Sequence, residues 1–146
     1  MKRVGIVGYR GYSGAELVCL LQHHAGVEPI LLEHREDAGG PPSIRSRKGP
    51  PKLSFSPETI AEEKIALVFL ATPHEVSMEL APAILEAGAR VVDLSGAFRL
   101  RTPENYKTWY KESHTQPDLL AEAVYGLPED LNPPLFLHLM PYGCAA

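Results

Sequence analysis

Short apolar runs alternate along this chain with stretches whose apolar residues recur every three or four positions. Arg3-Val4-Gly5-Ile6-Val7 is short and β-branched and reads as a buried strand. From Ser13 to Ala25 a helix is predicted, with Leu17, Leu20, Leu21 and Ala25 at helical spacing and Ser13 and Glu16 forming a capping box. Pro29 to Glu33 is a second strand, and Lys64 to Ala71 a third, the most continuous apolar run. Thr72-Pro73-His74-Glu75 then carries three helix-start signals: Thr72 caps, Pro73 suits the first helical position, and Glu75 completes the box. Val76, Leu80, Ile84 and Ala87 line one face of that helix, and Gly88 stops it. Pro82 lies inside it and is expected to kink it. Arg90 to Leu94 is a fourth strand. Strands and helices in this order predict a doubly wound α/β domain with a mostly parallel sheet.

Composition adjusts the picture in one place. The fourteen prolines are about twice the usual share. Pro41, Pro42, Pro50, Pro51 and Pro57, beside Gly39, Gly40 and Gly49, mark a long irregular segment, and Pro128, Pro133, Pro134 and Pro141 mark turns near the end. Otherwise 146 residues, 45% hydrophobic and 22% charged, fit one globular domain and exclude general disorder. A net charge of −4 gives no general attraction to nucleic acid or to anionic membranes, so neither is an expected partner. Apolar runs such as Ile65 to Ala71 are too short to cross a bilayer, and Gly5, Gly8, Arg10 and Gly11 break any signal-peptide core. A soluble, cytoplasmic protein is expected. Cys19, among Leu17, Val18, Leu20 and Leu21, reads as a small core residue. Cys19 and Cys144 match no disulfide or metal spacing, the six histidines are scattered, and no metal is expected.

The candidate chemistry begins where the first strand ends. Gly8-Tyr9-Arg10-Gly11-Tyr12-Ser13-Gly14 has the spacing G-x-x-G-x-x-G between a strand and a helix. Such a turn exposes bare amides at a helix start, where a pyrophosphate can approach. Gly8, Arg10, Gly11, Tyr12, Ser13 and Gly14 are therefore the candidate dinucleotide-binding residues, against the plainer reading that the glycines only permit a tight turn. Glu33 stands where an acidic residue holds the ribose of NAD. Arg35 follows at once and suits either the 2′-phosphate of NADP or a solvated loop, while Arg45, Arg47, Lys48 and Lys52 in the next loop read rather as solvated surface. From these residues the choice between NAD and NADP stays open. Thr72, Pro73, Ser95 and Gly96 fall at the carboxyl ends of strands, where ligands bind in open α/β sheets. Helix capping and a simple turn explain Thr72 and Ser95 equally well. Arg99, near the same edge, is a candidate for a substrate phosphate or carboxylate, or else a surface arginine beside an acid. Tyr106, Trp109 and Tyr110, interleaved with Lys107 and Lys111, read as an amphipathic helix packed on the sheet.

Four blocks together resemble a known family. Val4-Gly5-Ile6-Val7-Gly8 through Gly14-Ala15-Glu16-Leu17, Phe69-Leu70-Ala71-Thr72-Pro73-His74, Asp93-Leu94-Ser95-Gly96-Ala97-Phe98-Arg99-Leu100 and Tyr125-Gly126-Leu127-Pro128-Glu129 are similar to N-acetyl-gamma-glutamyl-phosphate reductases. The match covers most of residues 1 to 131, in the family's order. Aspartate-semialdehyde dehydrogenases and the aminoadipyl-phosphate reductases of lysine biosynthesis share the scaffold. The Asp-Leu-Ser and Tyr-Gly-Leu-Pro blocks favour the arginine or lysine branch. The resemblance implies a Rossmann-type domain, NADP as cofactor, and reductive dephosphorylation of an acyl phosphate in arginine biosynthesis. It implies a small-molecule acyl-phosphate partner, a homo-oligomer at full length, and a cysteine nucleophile, a role Cys144 takes by position. The chain departs from the family around that cysteine: it reads Met140-Pro141-Tyr142-Gly143-Cys144-Ala145-Ala146 where the family has Asn-Pro-Gly-Cys-Tyr-Pro-Thr. Family members are more than twice as long, so residues 1–146 are expected to be the dinucleotide-binding domain, ending at the cysteine segment without the second, α+β catalytic domain. Little reductase activity and some self-association are then expected of the chain alone. The alternatives are a non-enzymatic dinucleotide-binding remnant or interaction module, and a reductase of a carrier-linked aminoadipyl phosphate.

Overall fold

A computed structural model describes residues 1–34 and 49–126. β1 (Lys2–Val7) leads into α1 (Tyr12–Gln22) and β2 (Val27–Glu33). Then come β3 (Lys52–Ser54), α2 (Pro57–Glu62), β4 (Ile65–Leu70), α3 (His74–Glu86) and β5 (Arg90–Asp93), followed by α4 (Pro103–Tyr110) and α5 (Pro117–Glu122). The five strands make one sheet in the order β3-β2-β1-β4-β5, and all neighbours are parallel. The chain thus winds outward from β1 in one direction and from β4 in the other. Such a reversal opens a crevice beyond the carboxyl ends of the two central strands.

Side-chain alternation along the strands puts a core on each face. Ile6 and Leu31 turn to the face that Leu17, Val18 and Leu21 of α1 cover. Val7, Ile30, Leu32, Val68, Leu70 and Val91 turn to the other, under Val76, Leu80, Ala81 and Ile84 of α3 and Ile60 of α2. Each such side chain fully withdrawn from water stabilises the fold by about 1.5–3 kcal/mol. Pro29 is tolerated inside β2 for a local reason. Leu31 donates its amide to Pro51 on the β3 side, so Pro29 faces that side too, and β3 pairs only with Leu31 to Glu33. The missing amide therefore costs no ladder bond.

Several details differ from the sequence expectations. Within the proline-rich segment Lys52, Leu53 and Ser54 form a strand that pairs with Leu31, Leu32 and Glu33, and Ser56 caps α2 through the Thr59 amide at 3.0 Å. That strand owes its existence to a partner far away in the chain, which local composition does not register. At α1 the cap is Gly11, not Ser13, and no side chain closes the helix start. At α3 the cap position is Pro73, while the Thr72 hydroxyl bonds the Ser77 hydroxyl at 2.9 Å instead. α3 runs unbroken through Pro82, held to the sheet by buried Ala81 and Ile84 on either side. Cys19 is exposed rather than in the core, and so is Leu20, at 61%. α1 lies on the sheet along a narrow stripe and ends at Gln22, so its outer residues face water. Tyr106 is buried, but Trp109 on the same helix is 75% exposed.

Candidate functional site

The turn from β1 into α1 sits at the carboxyl end of β1, on the rim where the winding reverses. Its glycines do different work. Gly8 has φ +77°, and any Cβ there would overlap the carbonyl of Ala71 at the end of β4. Gly14 lies so close to the backbone of Gly8 and Tyr9 that a Cβ would overlap both. These two allow the strand, the helix and β4 to meet without a gap. At Gly11 a Cβ would meet only the Gly8 oxygen, at 3.5 Å. Gly11 therefore leaves space rather than filling it. With no capping side chain on α1, no side chain occupies the first-turn amides at the positive end of the helix. The Tyr12 side chain points into solvent, 99% exposed, and does not block them.

Beside this turn is a cleft of about 230 Å³ lined by Gly8, Gly11, His34, Ala71, Thr72, Pro73 and Val76. It lies between the ends of β1 and β4. Pockets for ligands of drug size start at about 300 Å³, so this one has room for only part of a dinucleotide-sized group. Bare amides, a positive helix end and an adjoining cleft fit the diphosphate of such a group.

At the end of β2 the Glu33 carboxylate accepts from the Tyr9 hydroxyl at 2.7 Å and from Arg10 at 3.1 Å. Tyr9 is buried between this carboxylate and the sheet, and burial together with Glu33 pushes its pKa up. The Tyr9 hydrogen bond, then the Arg10 and Lys52 charges, hold Glu33 below the usual carboxylate range. The Lys52 ammonium lies 5.4 Å from the centre of the Tyr9 ring. Glu33 Oε1 thus takes both hydrogen bonds, with the Arg10 and Lys52 charges acting on the same carboxylate.

A buried polar network forms the rim beyond β4 and β5. Asp93 is 2% exposed and accepts from the Ser95 amide at 3.1 Å and the Ser95 hydroxyl at 2.8 Å, with Ser77 bonded as well. Burial raises its pKa, and the serine hydrogen bonds oppose that. Ser95 in turn accepts the Ala97 amide at 3.1 Å, so its hydroxyl serves the turn. Thr72 joins the network through Ser77. Gly96 packs against the Tyr110 hydroxyl, and Arg99, exposed, donates to the Leu94 carbonyl at 2.9 Å and lies over the Tyr125 ring. His114 secures the loop from the far side. Its Nδ1 accepts the Gln116 amide, so Nε2 carries the proton and donates to the Ala97 carbonyl at 2.9 Å. Burial lowers its pKa.

The structure therefore groups Gly8, Gly11, Thr72 and Pro73 around one cleft, while Tyr12, Ser13 and Gly14 follow Gly11 in the first turn of α1, with Gly14 buried. Arg10 lies by Glu33, and Ser95, Gly96 and Arg99 occupy the neighbouring rim. Arg35 and Cys144 lie outside the described residues. Sequence reasoning missed Tyr9, His34, Ser77 and Asp93. An aspartate closing an apolar strand, followed two residues later by a serine, was the available signal for Asp93.

A parallel sheet with a glycine turn opening on its reversal crevice defines the class of dinucleotide-binding α/β domains. The family described as semialdehyde dehydrogenase, NAD binding domain, matches residues 3–134, and the chain belongs to it. Over 134 residues it is 47% identical to a [LysW]-L-2-aminoadipate/[LysW]-L-glutamate phosphate reductase of Sulfolobus acidocaldarius, covering 88% of this chain and 38% of that one. Over 135 residues it is 45% identical to an N-acetyl-gamma-glutamyl-phosphate reductase of Thiobacillus denitrificans, covering 88% and 39%. The chain spans about two-fifths of the length of these relatives. In fold it is similar to an aspartate semialdehyde dehydrogenase of Vibrio cholerae, with TM-score 0.64, 19% identity, all of this chain and 42% of that one. It is also similar to the Francisella tularensis enzyme of that name, with TM-score 0.63, 15% identity, all of this chain and 36% of that one. The relatives are phosphate reductases, the domain is an NAD(P)-binding one, and no helix among the described residues is long and apolar enough to cross a membrane.

Proposed function

We propose that the chain is the dinucleotide-binding part of an NADPH-dependent acyl-phosphate reductase, a cytoplasmic enzyme that forms homo-oligomers when whole. The observation that carries this is the start of α1, where no side chain caps the helix and Gly8 and Gly11 line the cleft between β1 and β4. The amides of Tyr12, Ser13 and Gly14 receive the diphosphate, and Thr72 and Pro73 form the opposite wall. Arg10 faces the 2′-phosphate, and Arg35, from its place just after Glu33 in the sequence, suits the same group. Glu33, engaged by Tyr9 and Arg10, is a poor acceptor for the ribose diol that NAD would present. Ser95 and Gly96 border the nicotinamide end. NADPH, when bound, supplies the hydride.

Arg99 keeps donors free beyond its bond to Leu94 and holds the substrate's phosphate or carboxylate. Cys144 is the nucleophile by resemblance: its thiolate attacks the acyl carbon and phosphate leaves. The substrate carried over is N-acetyl-gamma-glutamyl phosphate, on the arginine route. Relatives of the aminoadipate kind match almost equally, at 47% against 45%, and the same acyl-phosphate chemistry serves that substrate.

Titration of the full chain with NADPH, followed by nicotinamide fluorescence, tests the reading. Saturable binding is expected, weakened at least about tenfold by Gly11→Asp, whose carboxylate would cap α1 and repel the diphosphate. The same variant should melt no lower than the parent. No saturation by about 1 mM NADPH overturns the proposal, since working affinities lie below that.

A further inference from the structure

We propose that Tyr9 is a positioning residue that sets the dinucleotide preference: by fixing the Glu33 carboxylate it disfavours the ribose of NADH and leaves the rim to the 2′-phosphate of NADPH. The inference rests on the reading of the cleft as a dinucleotide site. An acidic residue at the end of the second strand ordinarily accepts the ribose 2′-hydroxyl of NAD. Glu33 closes β2, and the next residue, His34, lines the cleft. Position alone therefore favours NADH. The hydrogen bonds around the carboxylate argue the other way.

Tyr9, Arg10 and Glu33 close a ring of hydrogen bonds. Arg10 Nε donates to the Tyr9 oxygen at 3.4 Å, and Arg10 Nη2 donates to Glu33 Oε1 at 3.1 Å. Because its oxygen accepts from Arg10, the Tyr9 hydroxyl directs its one proton to Glu33 Oε1, at 2.7 Å. The phenol cannot swing away from this bond. Its ring is 4% exposed, packed with Ile6 and Leu31 of the sheet and with Leu17, Val18 and Leu21 of α1. The Lys52 ammonium lies over the same ring. Glu33, by contrast, has a side chain 43% exposed, so its orientation depends on what anchors it. A ribose hydroxyl seeking Oε1 has to compete with a charge-assisted bond from a rigid donor, about twice as strong as a neutral one. That bond is also the largest influence holding Glu33 below the usual carboxylate range. Removing the Tyr9 oxygen would leave Oε1 a better acceptor for the ribose and more of its charge facing a 2′-phosphate. Both changes move the preference toward NADH.

Paired fluorescence titrations of the full chain with NADPH and NADH test this. Tyr9→Phe keeps the packed ring and should lower the preference for NADPH over NADH at least about fivefold, with NADH binding tightened. In a Glu33→Gln background the same change should leave the preference unaltered, because Tyr9 acts through the carboxylate. Glu33→Gln alone should raise the preference about threefold, since a neutral amide does not repel the 2′-phosphate. An unchanged preference in Tyr9→Phe, an equal shift in the Glu33→Gln background, or equal weakening of both dinucleotides overturns the inference and leaves the cleft reading intact. If circular dichroism shows that Tyr9→Phe has lost the parent fold, Glu33→Gln decides, and an unchanged or lowered preference there overturns the inference. No saturable binding of either dinucleotide by the parent overturns the cleft reading, and this inference with it.

Discussion

The first turn of α1 and the loop after β5 share one rim of the sheet, but they dispose of their polar groups in opposite ways. At α1 the cap is Gly11, no side chain serves the helix start, and Gly8 and Gly11 line a cleft. After β5, Asp93 and Ser95 bond to each other and to nearby amides, and Arg99 reaches back to the Leu94 carbonyl. α4, away from the cleft, resembles the second pattern: Thr102 accepts the Asn105 amide at 3.2 Å. An Ala in place of such a capping side chain costs about 1 kcal/mol, and Gly only a few tenths. Gly11 is thus a cheap way to leave a helix end unoccupied. The comparison separates a helix start without side-chain partners from a loop whose polar groups satisfy one another.

Substitutions should divide along that line. The largest effect is expected at Gly14, where Val would collide with backbone rather than with a flexible side chain. Gly14→Val should lower stability by about 3 kcal/mol, read as a drop in the urea midpoint. Asp93→Ala comes next. It leaves the Ser95 amide and hydroxyl and Ser77 without their acceptor and should cost about 2 kcal/mol in the melting transition. If Asp93→Ala instead abolished NADPH binding without lowering stability, the loop would belong with the open region. Arg10→Gln should leave stability within about 0.5 kcal/mol, since a partly exposed ion pair contributes little. It should reduce the preference for NADPH over NADH by about tenfold, compared by paired fluorescence titrations. An unchanged preference would remove Arg10 from the cofactor site.

The smallest effect concerns pH. Burial keeps the folded-state pKa of His114 below its ordinary value of 6.5, so the unfolded chain binds the proton more readily. Stability supplied by neutral His114 is therefore complete above about pH 6.5 and declines as pH falls through that value. Thermal melts between pH 7.5 and pH 5.5 should show this decline, and His114→Gln should flatten it. An equal slope in both proteins would rule out His114 as its source.

Much of the framework was legible because it follows from periodicity. Val4, Ile6 and Val7, and the run from Ile65 to Leu70, are apolar on both faces, as strands buried under helices must be. The glycine turn was legible because few alternatives to glycine survive the contact of Gly8 with Ala71 and of Gly14 with Gly8. Other features depended on contacts that no window of sequence contains. Lys52 to Ser54 look like loop until β2 offers them a ladder. Thr72 reads as a helix cap until Ser77 takes its hydroxyl. Cys19 looks interior because its neighbours are apolar, but α1 has only one stripe on the sheet. The engagement of Glu33 by Tyr9 and Arg10 joins residues more than twenty positions apart, beyond the reach of any local window.

The sheet order carries one more consequence. Among the described residues its outer strands are β3 and β5, of three and four residues, while the longer β1, β2 and β4 are enclosed between them. A foreign strand seeking to extend the sheet would find only a few free backbone groups at either margin. Brevity at the margins is itself a guard against runaway association.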